Sequence, residues 1–182
     1  MLIQPYKESW VVDFDSLKRV LEEALAGLPI SVEHVGSTSV PGLAAKPIID
    51  VDLVVDQHVA IDDIKNRLTK VGYYHNGNQG IPGREVFKRG QAADTHPVLD
   101  LVAHHLYACR AASDELRRHR LFRDYLIADD EVRIQYQTLK YALAHEANQD
   151  RKHYALLKEL KATAFISRII ERAGQSEYDS EQ

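Results

Sequence analysis

The chain of 182 residues carries 23 Lys and Arg against 27 Asp and Glu, a formal charge of −4, with 45% apolar residues and one cysteine. That length and apolar share fit one globular core, and the slight acidity excludes a general electrostatic pull toward nucleic acid or anionic lipid. Cys109 has no partner for an intramolecular disulfide, no basic and apolar leader opens the chain, and no apolar run approaches the ~18 residues of a membrane span. A cytoplasmic protein without a membrane partner is the expectation.

Trp10, Phe14, Leu17, Leu21 and Leu25 recur at steps of four and three and predict an amphipathic helix ending near Gly27. Ser31 to Val35 reads as a short strand feeding a Gly/Ser turn, and Pro47 to Val55 is the clearest strand in the chain. Ile61, Ile64, Leu68 and Val71 predict a second helix over 58–71, stopped by Gly72. Short strands follow at 72–76, 84–89 and 103–109, separated by turn-rich loops at 77–83 and 90–97. From Ser113 the period turns helical and predicts three closing helices, with Asp129 to Glu131 at the positive end of the second and Asp150 capping the third. Strands followed by helices indicate an α+β fold in a single domain over 1–173, and the polar, acidic residues 174–182 read as a disordered tail.

The chemistry concentrates between His34 and Asp52. A strand ending in Gly36-Ser37 lets backbone N–H groups approach a ligand closely, because glycine lacks a Cβ, and Ser37, Thr38 and Ser39 add hydroxyls; such a turn suits a phosphate. Asp50 and Asp52 lie two apart on a strand, so both side chains leave the same face and are able to share one hard cation, Mg²⁺ or Mn²⁺. Each half has an ordinary explanation, a plain turn for the first and a solvent-facing strand for the second. Together they suit a metal bridging phosphate oxygens that the turn has positioned.

The order Gly-Ser, then twelve residues, then Asp-x-Asp on an apolar strand resembles the nucleotidyltransferase superfamily. More narrowly, the run from Glu33 to Asp50 resembles the GrpB family almost letter for letter. The likeness extends to Trp10, His104 to Tyr107, Leu121 to Leu126, Leu139-Lys140, Tyr154 and Lys158, and so covers roughly residues 5–173. It implies a nucleotidyltransferase-like mixed sheet flanked by helices, with a C-terminal helical segment. It also implies transfer of a nucleoside monophosphate from an NTP to an unknown acceptor, nucleic acid not being the expected partner. A GrpB-like domain is found fused to dephospho-CoA kinase, which opens the alternative of a non-catalytic nucleotide-binding module acting with a partner enzyme in coenzyme A or nucleotide metabolism. No P-loop occurs, so kinase chemistry by that route is not expected.

Superfamily catalysts add a third carboxylate from a later strand. Here that strand offers His104 and His105, which project to opposite faces, with Asp100 just before it. Either Asp100 bends into the site, or a histidine such as His105 replaces the base, or the site binds a nucleotide without turning it over. Lys46, Arg84 and Lys88 are candidates to neutralise phosphates, against the commoner outcome of an exposed basic residue. Arg117 to Arg120 read as a solvated basic face, and Cys109 as a small buried residue.

Overall fold

The computed structural model describes residues 1–90 and 96–180; most of the 90–97 loop and the last two residues of the expected tail lie outside that range. The order of elements is α1 (Ser9–Ala24), β1 (Ile30–Val35), a 3₁₀ turn (Ser37–Ser39), β2 (Ile49–Val55), α2 (Ile61–Lys70), β3 (Tyr73–His75), β4 (Arg84–Arg89), β5 (His104–Arg110), α3 (Asp114–Ala128), α4 (Asp130–Glu146) and α5 (Arg151–Ser180). These follow the expected elements closely and make an α+β fold. α5 runs past Gly174 to Ser180, where composition alone suggests disorder. The described residues gather into two compact units.

The first unit comprises Glu8–Val35 and Ile48–Arg117. Its five strands form one mixed sheet in the order β1-β2-β5-β4-β3, with β2 parallel to β5 and every other pair antiparallel. Strict alternation along β2 divides the sheet into two faces: Ile49, Val51, Leu53 and Val55 are buried on one, and Asp50 and Asp52 leave from the other. The apolar face is covered by α1, whose Trp10, Phe14, Leu17 and Leu21 are buried at the spacing the sequence predicts. Phe14 stacks on the His34 ring at 4.6 Å between centroids, and His34 lies opposite Val51, which fixes the side on which α1 sits. α2 buries Ile64 and Leu68 and packs on β3.

The second unit comprises Met1–Lys7, Gly36–Pro47 and the chain from Arg118 onward. Val40, Leu43, Leu126, Val132, Tyr136 and Ile169 form one buried cluster; Ile3, Ala44, Leu143, Tyr154 and Leu157 belong to another. Asp129 caps α4, its carboxylate accepting from Val132 N–H at 2.9 Å, and Asp150 accepts from His153 N–H at 2.7 Å at the start of α5, both as expected of residues that satisfy orphan helix amides. The Gln4 and Ala45 backbones pair in an isolated antiparallel bridge.

Candidate functional site

Within the sheet unit, register places the polar groups. Directly opposed residues share a face, so Asp50 aligns with His105 and Asp52 with Tyr107 on β5, while Glu33 on β1 lies across from Asp52. Cys109, two residues beyond Tyr107, aligns with Arg84 on β4, and Val86 with Tyr107. One face of the sheet thus carries Glu33, Asp50, Asp52, His105, Tyr107 and Arg84, opposite the face that α1 covers.

Asp52 is fully buried, and Asp50 is half-buried with its side chain 31% exposed. His105 Nδ1–H donates to Asp50 Oδ1 at 2.9 Å, so Nε2 is the ring nitrogen not engaged by Asp50. The Cys109 thiol donates to Asp52 Oδ1 at 3.8 Å, and burial, reinforced by the Asp52 charge, pushes that thiol well up; it is a small buried group rather than a nucleophile. Burial likewise raises the Tyr107 phenol, with Asp50 adding to the effect.

The remaining expected residues of this unit divide. Arg84 is committed to Glu115 at 3.1 Å and lies over the Tyr107 ring at 5.0 Å, and its buried Nε–H finds no acceptor among the described residues. Asp100 is held by Arg89 through two bonds at 2.8 and 2.9 Å and by His96 N–H at 2.6 Å; the Arg89 hydrogen bonds hold its carboxyl down at about 2. Arg89 pairs with Tyr73 and lies over that ring, on the face opposite Asp50. His104 also turns to that face: its Nδ1–H donates to Val102 O at 2.7 Å, its Nε2 accepts from the Tyr73 hydroxyl at 2.6 Å, and burial lowers its pKa. Lys88 is exposed and sits two residues after Val86, on the Asp50 side of the sheet.

Gly36, Ser37, Thr38 and Lys46 belong to the other unit. Gly36 has φ 72° and ψ −168°, a conformation essentially closed to residues with a Cβ, and this bend turns the chain out of β1 into the 3₁₀ turn. Ser39 Oγ–H donates back to Gly36 O at 2.7 Å, Thr38 is buried, and Lys46 lies over the Tyr154 ring at 5.1 Å. Sequence reasoning gave no role to Lys140 on α4. It is 2% exposed, donates to Ala44 O and to Ser37 Oγ at 3.2 Å, and lies over the Tyr136 ring at 4.7 Å. Burial drives its pKa far below the ordinary lysine value, and Lys158 adds to that. Gln137, one turn earlier, accepts from Ala44 N–H at 2.7 Å, so α4 grips both ends of that short segment. The signal was in the sequence: position 140 lies four after Tyr136 and three before Leu143, on the apolar stripe of α4, where a lysine is anomalous.

The GrpB protein family model matches residues 1–172. Among curated relatives, the UPF0157 protein YqkA of Bacillus subtilis is 37% identical over 139 residues, which are 76% of this chain and 38% of that protein. The glutamate-rich protein GrpB of Alkalihalophilus pseudofirmus is 32% identical over 155 residues, 85% of this chain and 87% of that one. The crystal structure of the conserved protein GrpB from Enterococcus faecalis superposes with a TM-score of 0.78 at 30% identity, covering 97% of this chain and 99% of that chain. The Cid1 poly(U) polymerase bound to MgGTP matches with a TM-score of 0.55 at 14% identity, over 79% of this chain and 44% of the polymerase chain, a likeness of fold alone. Sheet, helices and family match agree: the chain belongs to the GrpB protein family and has a nucleotidyltransferase-like α+β fold.

Proposed function

We propose that this chain transfers a nucleoside monophosphate from an NTP to a hydroxyl of an acceptor, releasing pyrophosphate, with Mg²⁺ or Mn²⁺ held by Asp50 and Asp52. The observation that carries the reading is the alignment of Asp50, Asp52 and His105 on one sheet face, with Asp50 and His105 hydrogen-bonded. The donor set fits the metal: two carboxylates on one face are hard oxygen ligands, and Asp50 keeps a second oxygen beyond the one that accepts from His105. When bound, the ion supplies stabilisation of charge on the phosphoryl group in transit.

The residues of the chain have separate tasks. Asp50 fixes the Nδ1–H tautomer of His105, so Nε2 takes the proton of the acceptor hydroxyl as its oxygen bonds to the α-phosphorus and the bond to the pyrophosphate oxygen breaks. His105 thereby takes the place of the third carboxylate, and Asp100, committed to Arg89, is not assigned that role. Within their own unit, the Ser37 hydroxyl and the Lys140 amine, which are hydrogen-bonded to each other, are groups suited to a phosphate oxygen. Gly36, Thr38 and Lys46 keep the phosphate-side role that their sequence suggests. The fold likeness to Cid1, a poly(U) polymerase that binds MgGTP, supports nucleotide chemistry of this class.

Each labelled NTP with Mg²⁺ or Mn²⁺ and pooled small-molecule acceptors is expected to yield pyrophosphate, and Asp50→Asn/Asp52→Asn is expected to abolish both release and the metal-dependent rise in Tm with NTP. A second reading, a nucleotide-binding module without turnover, is favoured by the tie between Asp100 and Arg89, which among the described residues leaves no unengaged carboxylate from the β5 side. Stabilisation by NTP without pyrophosphate from any pool selects that reading; no stabilisation refutes both.

A further inference from the structure

Beside His105 the sheet unit holds a cavity of about 480 Å³, within the ~300–1,000 Å³ usual for small-molecule sites. Its lining mixes apolar and aromatic residues, Val86 and Tyr107 among them, with polar and charged ones: Lys88, His105 and the mutually paired Arg89 and Asp100. Val86 lies opposite Tyr107, and alternation along β4 and β5 puts Lys88 and His105 on the same side of the sheet as that pair. Asp50, His105 and Lys88, on β2, β5 and β4, therefore share one face of the sheet.

The three cations of β4 are not equivalent. Arg84 is tied to Glu115 and Arg89 to Asp100, whereas Lys88 has no ion-pair partner among the described residues. Its charge remains available at the cavity, and His105, with half of its side chain exposed, is reachable from the same space. A cavity that offers an aromatic ring, a cation without an ion-pair partner among the described residues and an exposed imidazole recognises a molecule that has an anionic end and a hydroxyl.

We propose that this cavity is the acceptor site and that it takes a small hydroxylated organic anion, its phosphate or carboxylate held by Lys88 and its hydroxyl presented to His105. This rests on the transferase reading given above, so the test is run without NTP or metal. The Cε1–H resonance of His105, identified by its loss in His105→Asn, is followed while glycerol 3-phosphate, glycerate or uncharged glycerol is added, with sodium chloride as the ionic-strength control. The expected result is a saturable shift with one or both anions and none with glycerol or chloride. Which anion acts separates phosphate from carboxylate recognition. Lys88→Gln, a change at an exposed position, is expected to weaken that binding by about tenfold or more. No saturable shift with either anion, a shift matched by chloride, or a shift that survives intact in Lys88→Gln overturns the proposal. Pyrophosphate release, assayed separately, keeps the two readings apart. Anion binding without release refutes transfer but leaves the site. Release whose acceptor KM is unmoved by Lys88→Gln refutes the site but leaves transfer.

Discussion

Lys140 is an amine held out of water, with hydroxyl, carbonyl and ring contacts and no carboxylate partner among the described residues. Its folded pKa is depressed, so the folded chain binds protons less readily than the unfolded one. The cost is fully present below the depressed value and fades as pH rises toward the unfolded value of 10.5. Lys140→Met is therefore expected to raise Tm near neutrality, with a gain that shrinks at alkaline pH. A phosphate beside the amine favours its charged form, so NTP binding should take up a proton and weaken as pH rises through that window. Calorimetry in two buffers of different ionisation heat measures the uptake; in Lys140→Met it should vanish, with affinity lower by about tenfold or more. Equal proton uptake in the two proteins would remove Lys140 from the phosphate site. His105→Gln tests the other end of the chemistry: a fall in pyrophosphate release by about 10²–10⁴ with NTP-induced stabilisation unchanged is expected of a lost base. Asp50 and Asp52 were legible because acids at period two interrupt an apolar strand. The fate of Asp100 was not, since it is decided by Arg89, eleven residues away on another element.

At the scale of elements, the helices and strands followed from periodicity because each buries one face. Trp10 to Leu21 mark α1, and the odd-numbered residues of β2 mark its buried side. What periodicity could not supply was strand order: β5 enters between β2 and β4, and only that insertion sets His105 against Asp50. The far end of α5 escaped for a different reason, since residues 174–180 lack an apolar stripe and intrinsic composition says little about whether an established helix continues. Gly36 belongs to this scale, because its backbone links β1 to the 3₁₀ turn. At φ 72° and ψ −168° a Cβ is strained, so Gly36→Ala should destabilise the fold by about 1–3 kcal/mol, read as a lower midpoint in urea at unchanged slope. A variant as stable as the parent would mean that the turn relaxes to another conformation.

For the molecule as a whole, the chain passes between its two units at 7/8, 35/36, 47/48 and 117/118. The 36–47 segment carrying the Gly-Ser turn belongs to one unit and the strand that holds Asp50 to the other, although the two are neighbours in sequence. Apolar periodicity reports which side of an element is buried and not which partner buries it, so this division had no linear signature. The net charge acts at the same scale. A polymerase that extends RNA must hold a polyanion, and that affinity comes from neutralising phosphates and releasing their counterions. With 23 basic against 27 acidic residues, and with Arg84 and Arg89 already paired, this chain has little such charge to give. Among the described residues no helix is long and apolar enough to cross a membrane. The expectation is a small-molecule acceptor: UTP, Mg²⁺ and a short RNA primer should give no extended product. Anisotropy of labelled RNA should stay flat at about 0.15 M salt, where a chain lacking a basic track gains little from counterion release. Primer extension, or binding whose logarithm falls steeply with the logarithm of salt concentration, would replace the small anionic acceptor with a polynucleotide and reassign Lys88 to its backbone.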